Sequence, residues 1–168
     1  MTSERQKRKH GCILAVVPAF IWLGALAFAA VPAARAGITQ RIVVDWRTGL
    51  AISGYDPVAF FTDGKPMTGS ADVEYNYGGA VWRFLNVGNR DAFASHPDIY
   101  MPQFGGYDPV DVARGVAVAG NPDLWTIAGE RLYLFYDGAK RQEFIADPAR
   151  FIASAERKWP DLKETLDP

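Results

Sequence analysis

The pentapeptide Gly54-Tyr55-Asp56-Pro57-Val58 returns 52 positions later as Gly106-Tyr107-Asp108-Pro109-Val110. Such a repeat constrains a chain more than its average composition does, because the two copies must settle into the same kind of unit. Beyond the pentapeptide the two stretches stay in phase at a shift of 51. Gly64, Gly69 and Gly78 meet Gly115, Gly120 and Gly129. Val81, Trp82 and Phe84 meet Leu132, Tyr133 and Phe135. Arg90, Phe93 and Pro97 meet Arg141, Phe144 and Pro148, and Tyr100 meets Phe151. One residue of slip is a single loop deletion, so the pattern reads as an internal duplication.

Each copy predicts the same succession of elements. A Tyr-Asp-Pro turn opens it, with Asp suited to cap a short helix that starts at Pro. A glycine-punctuated loop and a β-hairpin follow: Val73–Tyr77 with Val81–Leu85 around Gly78-Gly79, then Leu124–Ala128 with Arg131–Tyr136 around Gly129-Glu130. A helix comes next, near Gly88–Ser95 and Ala139–Ala146, stopping at His96-Pro97 and Asp147-Pro148. After Pro148 the residues Phe151, Ile152, Ala155 and Trp159 fall on one helical stripe that is expected to end at Pro160. The first copy has the loop Met101–Gly106 in place of that helix. The expectation is an α+β fold: one small domain of two pseudo-symmetric hairpin/helix repeats of about 51 residues, with a C-terminal helix. Hairpins of this size do not bury a face alone, so the two are expected to pack together. The boundaries read as a lead-in at 37–53, repeat one at 54–105, repeat two at 106–160 and a tail at 161–168.

The first 36 residues have a different composition. A basic stretch from Arg5 to His10 precedes the apolar run Cys12–Val31, and Ala34-Arg35-Ala36 is an A-x-A cleavage pattern. This reads as a secretion signal with Gly37 as the new first residue, and the chain is expected to be exported to the periplasm or cell envelope. The alternative is an uncleaved anchor, since residues 12–31 are long enough to span a bilayer. Cys12 is the only cysteine, so cleavage leaves a thiol-free domain. Beyond residue 36 the chain carries 13 basic and 18 acidic residues, a net charge of −5. It has no basic stripe with interleaved aromatics, which argues against nucleic-acid binding.

The stretches Gly54–Phe61, Gly79–Phe84, Arg90–Phe93, Pro97–Tyr100 and Pro102–Tyr107 resemble exported bacterial YHS-domain proteins, over roughly residues 48–160. The resemblance implies a small module associated with heavy-metal handling. In many exported members a cysteine follows the Gly-Gly-Tyr motif; here Asp108 stands there, a hard, redox-inert carboxylate in place of a soft thiolate.

Asp56 and Asp108 are the sharpest candidates for chemistry. Repeat-equivalent carboxylates facing one another, with Tyr55 and Tyr107 beside them, suit a divalent cation or a shared proton. The plain alternative is that each Asp only caps its helix. His96, the single histidine beyond the leader, is a weaker candidate ligand with Asp56 and Asp108, and its repeat partner Asp147 suggests a cap instead. Met67 and Met101 align with Val118 and Ile152, which favours packing over thioether ligation. No phosphate-cradling glycine motif and no nucleophile elbow is present. The functional expectation is a non-enzymatic cell-envelope binding module holding a metal or small ligand at the junction of the repeats, around Tyr55, Asp56, Tyr107 and Asp108. The alternatives are a protein-interaction accessory module bound to an envelope protein, and an enzyme using the Asp56/Asp108 pair.

Overall fold

In copy one the chain forms α1 (Ala59–Thr62), β1 (Ser70–Tyr77), β2 (Ala80–Phe84), α2 (Val87–Ser95) and α3 (Pro97–Tyr100). Copy two repeats the order with α4 (Pro109–Ala113), β3 (Asn121–Ala128), β4 (Arg131–Phe135), α5 (Gly138–Ala146) and α6 (Pro148–Glu164). This computed structural model describes residues 40–167. The stretches read as a secretion signal, 1–36, and as its anchor alternative, 12–31, lie outside the described residues. Among the described residues, no helix is long and apolar enough to cross a membrane. The fold is α+β, as the repeat pattern predicts.

The duplication extends to hydrogen-bond register. β1 and β2 pair antiparallel with Tyr77 opposite Ala80 and Ser70 opposite Phe84, and β3 and β4 pair with Ala128 opposite Arg131 and Asn121 opposite Phe135. Both hairpins carry a bulge at the same place, between Ser70 and Glu74 and between Asn121 and Trp125. The bulge explains why both first strands begin three residues before the alternation visible in the sequence: extra residues on one strand break the period of two. The slip sits in the α1 and α4 turns. Asp56 N–H bonds the Met67 carbonyl and Asp108 N–H bonds that of Val118, so the second loop is one residue shorter. Gly120 lies so close to β4 that a Cβ there would fall 2.6 Å from Leu134 Cβ, and Gly69 is pressed against Arg83 in the same way.

The hairpins stay separate two-stranded sheets. They are joined through β4, whose side chains alternate between two cores. Leu132 and Leu134 enter the first, with Trp82, Phe84, Phe60 and Phe93. Tyr133 and Phe135 enter the second, with Tyr107, Val110, Phe144 and Phe151. Each core has a phenylalanine hub at the same repeat position. Phe93 meets Tyr75, Tyr77, Trp82 and Phe84. Phe144 meets Tyr133, Phe135 and Phe151.

A left-handed turn precedes each Tyr-Asp. Ile52, Ser53 and Gly54 have φ of 42°, 57° and 80°, and Phe104, Gly105 and Gly106 have 55°, 65° and 91°. Non-glycine residues pay for such φ values in steric strain. Ile52 and Phe104 are held there because each buries its side chain in one of the two cores. Val43 of the lead-in lies between the two turns: its N–H donates to the Gly105 carbonyl and its carbonyl accepts from Ile52 N–H. Ser53 has no such compensation, being exposed, and its repeat mate is Gly105. Ser53→Gly is therefore expected to stabilise the protein by up to about 1 kcal/mol, read as a higher urea midpoint with unchanged slope. A lower midpoint would show that the turn is not strained at this position.

The C-terminal helix differs from expectation. It does not stop at Pro160 but runs through it to Glu164, taking in the first half of the stretch read as a tail. Pro160 removes one bond to the carbonyl of residue 156, but Glu156 is exposed, where solvent can satisfy that oxygen. Trp159 and Leu162, on either side of the proline, pack against the second core and hold the helix.

Candidate functional site

Both conspicuous aspartates are fully buried. Asp56 Oδ1 accepts from the N–H groups of Val58 (2.8 Å) and Ala59 (3.3 Å), and Oδ2 from Leu85 N–H (2.8 Å) and Asn89 Nδ2 (2.6 Å). Asp108 Oδ1 accepts from Val110 N–H (2.8 Å) and Asp111 N–H (3.4 Å), and Oδ2 from Tyr136 N–H (2.7 Å). Each carboxylate thus clamps its own turn to the exit of its own hairpin. One oxygen caps the turn and the other holds the residue just after β2 or β4. Burial pushes the Asp108 carboxyl above its ordinary range, against the pull of its backbone donors.

The arrangement corrects the picture of a facing pair. None of these bonds reaches the other copy. His96 is exposed between α2 and α3, where its backbone N–H closes α2 and its side chain makes no cap bond. Among the described residues no group of three or more His, Cys, Asp or Glu side chains is placed to hold a metal ion. The donor set of Asp56, Asp108 and His96 therefore does not fit a divalent cation: two members are committed to N–H donors and the third stands apart on the surface.

The tyrosines also have structural partners. Tyr55 Oη donates to Asp123 Oδ1 at 3.3 Å, linking the first turn to the second hairpin. Tyr107 Oη donates to the Gln40 carbonyl at 2.6 Å, and burial raises its pKa to about 12, so it stays a neutral donor.

The copies differ in one coordinated way. Asn89, which serves Asp56, is replaced at its repeat position by Lys140, while Ala59 is replaced by Asp111. Lys140 Nζ pairs with Asp111, and Arg114 joins this acid at 3.8 Å and Glu143 at 3.0 Å. An amide bridge in one half has become an ion network in the other, at the same corner.

A groove among the described residues lies elsewhere at the junction. About 770 Å³ in volume, it is lined by Arg41 and Ile42 of the lead-in, the β1–β2 turn Tyr77–Gly79, the linker Met101–Gly105, and Glu156, Trp159 and Lys163 of α6. Its size is that of a small-molecule site. Sequence elements from both repeats and the lead-in place it. Trp82 Nε1 donates to the Tyr77 carbonyl at 3.1 Å and fixes the end of β1. Gly105 lets the linker lie against the Arg41 backbone, since a Cβ there would fall on the Arg41 carbonyl oxygen. Trp159 is held edge-on by Phe104, with ring centroids 5.8 Å apart, and packs at 6.0 Å on Tyr107. Tyr107 thus stands behind the groove, the only one of the four residues proposed from sequence to support it.

Arg41 carries the site's electrostatic peculiarity. Its Nε is buried without a hydrogen-bond partner, the only such side-chain nitrogen or oxygen among the described residues. The guanidinium has one long contact, Nη2 to Glu164 Oε1 at 4.0 Å, and that glutamate is largely exposed. Sequence reasoning missed Arg41 because it lies in the lead-in, outside the repeat. It missed Trp159 because helical spacing explains that residue as core. Glu156, Trp159 and Lys163 at i, i+3 and i+7 were the available signal: one stripe of α6 carries acid, aromatic and base. Compared with protein-family models, curated proteins and solved structures, the chain gives no match.

Proposed function

We propose that the protein is a non-enzymatic binding module that takes a small ligand in the groove at the junction of its two repeats. The observation carrying this reading is an open groove of about 770 Å³, built by segments of both repeats and the lead-in, with the basic side chains of Arg41 and Lys163 among its lining. Tyr77, Met101 and Trp159 supply apolar surface, the usual mixture in a ligand pocket. The resemblance to exported YHS-domain modules and the signal-like composition of residues 1–36 support a cell-envelope setting for such a module. The acid/base reading of Asp56 and Asp108 gains no support, because neither carboxylate lines the groove.

Chemical-shift mapping tests the proposal. Mixtures of small acids, amines and neutral aromatics, added to the isotope-labelled full-length chain, are expected to perturb Tyr77, Met101–Gly105 and Trp159 together. Perturbations that avoid these residues for every compound would remove the groove as a ligand site.

A second reading, a protein-interaction module, is favoured by Trp46. It is 79% exposed, on a turn that Asp45 locks by accepting from Arg47 N–H, Thr48 N–H and Thr48 Oγ1. Arg47 stacks over its ring at 4.8 Å. A rigidly displayed tryptophan suits a protein partner.

A further inference from the structure

Resting on the reading that the groove is a ligand site, we infer the class of ligand: a small monocarboxylate with a flat apolar body, its carboxylate held by Arg41 and Lys163.

The charges of the groove are distributed along one direction. On α6, Lys163 lies seven residues beyond Glu156, about 10 Å along a helix axis. Trp159 stands between them. Arg41 belongs to the Lys163 end, because its backbone N–H bonds the Asp167 carbonyl just beyond the helix terminus. The groove therefore has a cationic end with two basic side chains, an aromatic middle and an acidic end.

The cationic end is unsatisfied by the protein itself. The exposed part of the Arg41 guanidinium has only the long contact from Nη2 to Glu164 Oε1 at 4.0 Å. Lys163 enters none of the ion pairs among the described residues, and its side chain is only partly exposed. A carboxylate accepting from a guanidinium and an ammonium makes the charge-assisted bonds those groups lack. The helix terminus does not oppose it: the last-turn carbonyls of Leu162 and Lys163 are already taken by the N–H groups of Thr165 and Leu166.

Two acids restrict the anion. Glu164 stands beside Arg41 on the outside and Glu156 at the far end. Arg41 and Lys163 are balanced in count by these two glutamates, so a single negative charge is drawn to the basic end while a second one is repelled. This favours a monocarboxylate over inorganic phosphate or a dicarboxylate. The body follows from the middle of the groove, where Trp159 and Phe104 are locked edge to face and Tyr77 lies across the hairpin turn. Rigid rings receive a flat apolar group at small entropic cost.

Calorimetric titration of the full-length chain with phenylacetate, phenethylamine, succinate and inorganic phosphate tests the inference. Phenylacetate is expected to bind, with the other three weaker by about tenfold or more. Arg41→Gln and Lys163→Gln are each expected to weaken phenylacetate by about tenfold and to leave phenethylamine no weaker. If phenethylamine binds as well as phenylacetate, the carboxylate assignment falls while the groove remains a ligand site. If neither substitution affects phenylacetate, the anion sits elsewhere and the inference falls. A loss of both probes together with a lowered melting temperature would make Arg41 structural and overturn it. No heat with any probe would overturn the inference alone, while groove perturbation by other compounds in the mapping experiment would still support the broader proposal.

Discussion

Asp56→Ala is expected to cost about 4 kcal/mol or more, enough to bring a domain of this size close to unfolding. The substitution strips four hydrogen bonds from a site with no solvent exposure. It leaves the N–H groups of Val58, Ala59 and Leu85 and the amide of Asn89 without their acceptor, and each buried orphan costs about 1–3 kcal/mol. Asp56→Asn should cost somewhat less. It keeps one acceptor oxygen but turns an NH₂ toward Leu85 N–H and the Asn89 amide, or toward the turn. Asp108→Ala removes three bonds and is expected to cost about 3 kcal/mol, since its Oδ2 holds only Tyr136 N–H. Thermal unfolding followed by circular dichroism measures all three. A fall in melting temperature of about 10 °C or more is the expected result for either alanine variant. A shift within about 2 °C would show that the carboxylates do not clamp the hairpins, and would return them to the list of groups held for chemistry.

Gly105→Ala carries the second large effect. Glycine 105 has φ +65°, a conformation L-residues adopt at a cost of about 1–2 kcal/mol. The new methyl group would also land on the carbonyl oxygen of Arg41, with Ile42 Cα close behind. Because this obstacle is backbone, no rotamer change relieves it. Either the lead-in moves away, breaking the bond from Val43 N–H to the Gly105 carbonyl, or the left-handed turn rearranges. The expected loss is about 3 kcal/mol, again as a melting-temperature shift of about 10 °C. Ligand affinity should fall with it, since Arg41 is carried on the displaced segment. Ser53→Gly, at the same position of the other copy, is expected to do the reverse. A neutral result for Gly105→Ala would mean that the lead-in does not rest on the linker as described.

Much of the fold was legible because the chain supplies its own comparison. Gly69 and Gly120, or Phe93 and Phe144, are each ambiguous alone but meaningful as pairs, and the pairs map onto matching contacts in the two hairpins. What the sequence hid was whatever breaks the repeat or depends on distant segments. The bulges at 70–74 and 121–125 disguise the strand starts, because they disrupt the alternation by which strands are recognised. Pro160 looked like a stop, because local propensity carries no record of the packing of Trp159 and Leu162. The site suffered most. Asp56 and Asp108 stand out in sequence by their repetition, yet that repetition reflects an identical structural duty in each half. The groove draws on Arg41 of the lead-in, Phe104 of the linker, and Trp159 and Lys163 of α6, three separate segments that share no local motif.

The bond from Arg41 N–H to the Asp167 carbonyl, with the bridge between Gln40 and Asp167, closes the domain by joining the two ends of the described chain. This sets an order of events during folding. The two hairpins rest on short-range pairing, whereas the first core waits for Leu132 and Leu134 of β4 and closure waits for Asp167, bearing the entropy of a long loop. Arg41, Trp159 and Lys163 come together only at that closing step. The groove is therefore completed last, so a chain emerging segment by segment holds its hairpins before it holds the groove.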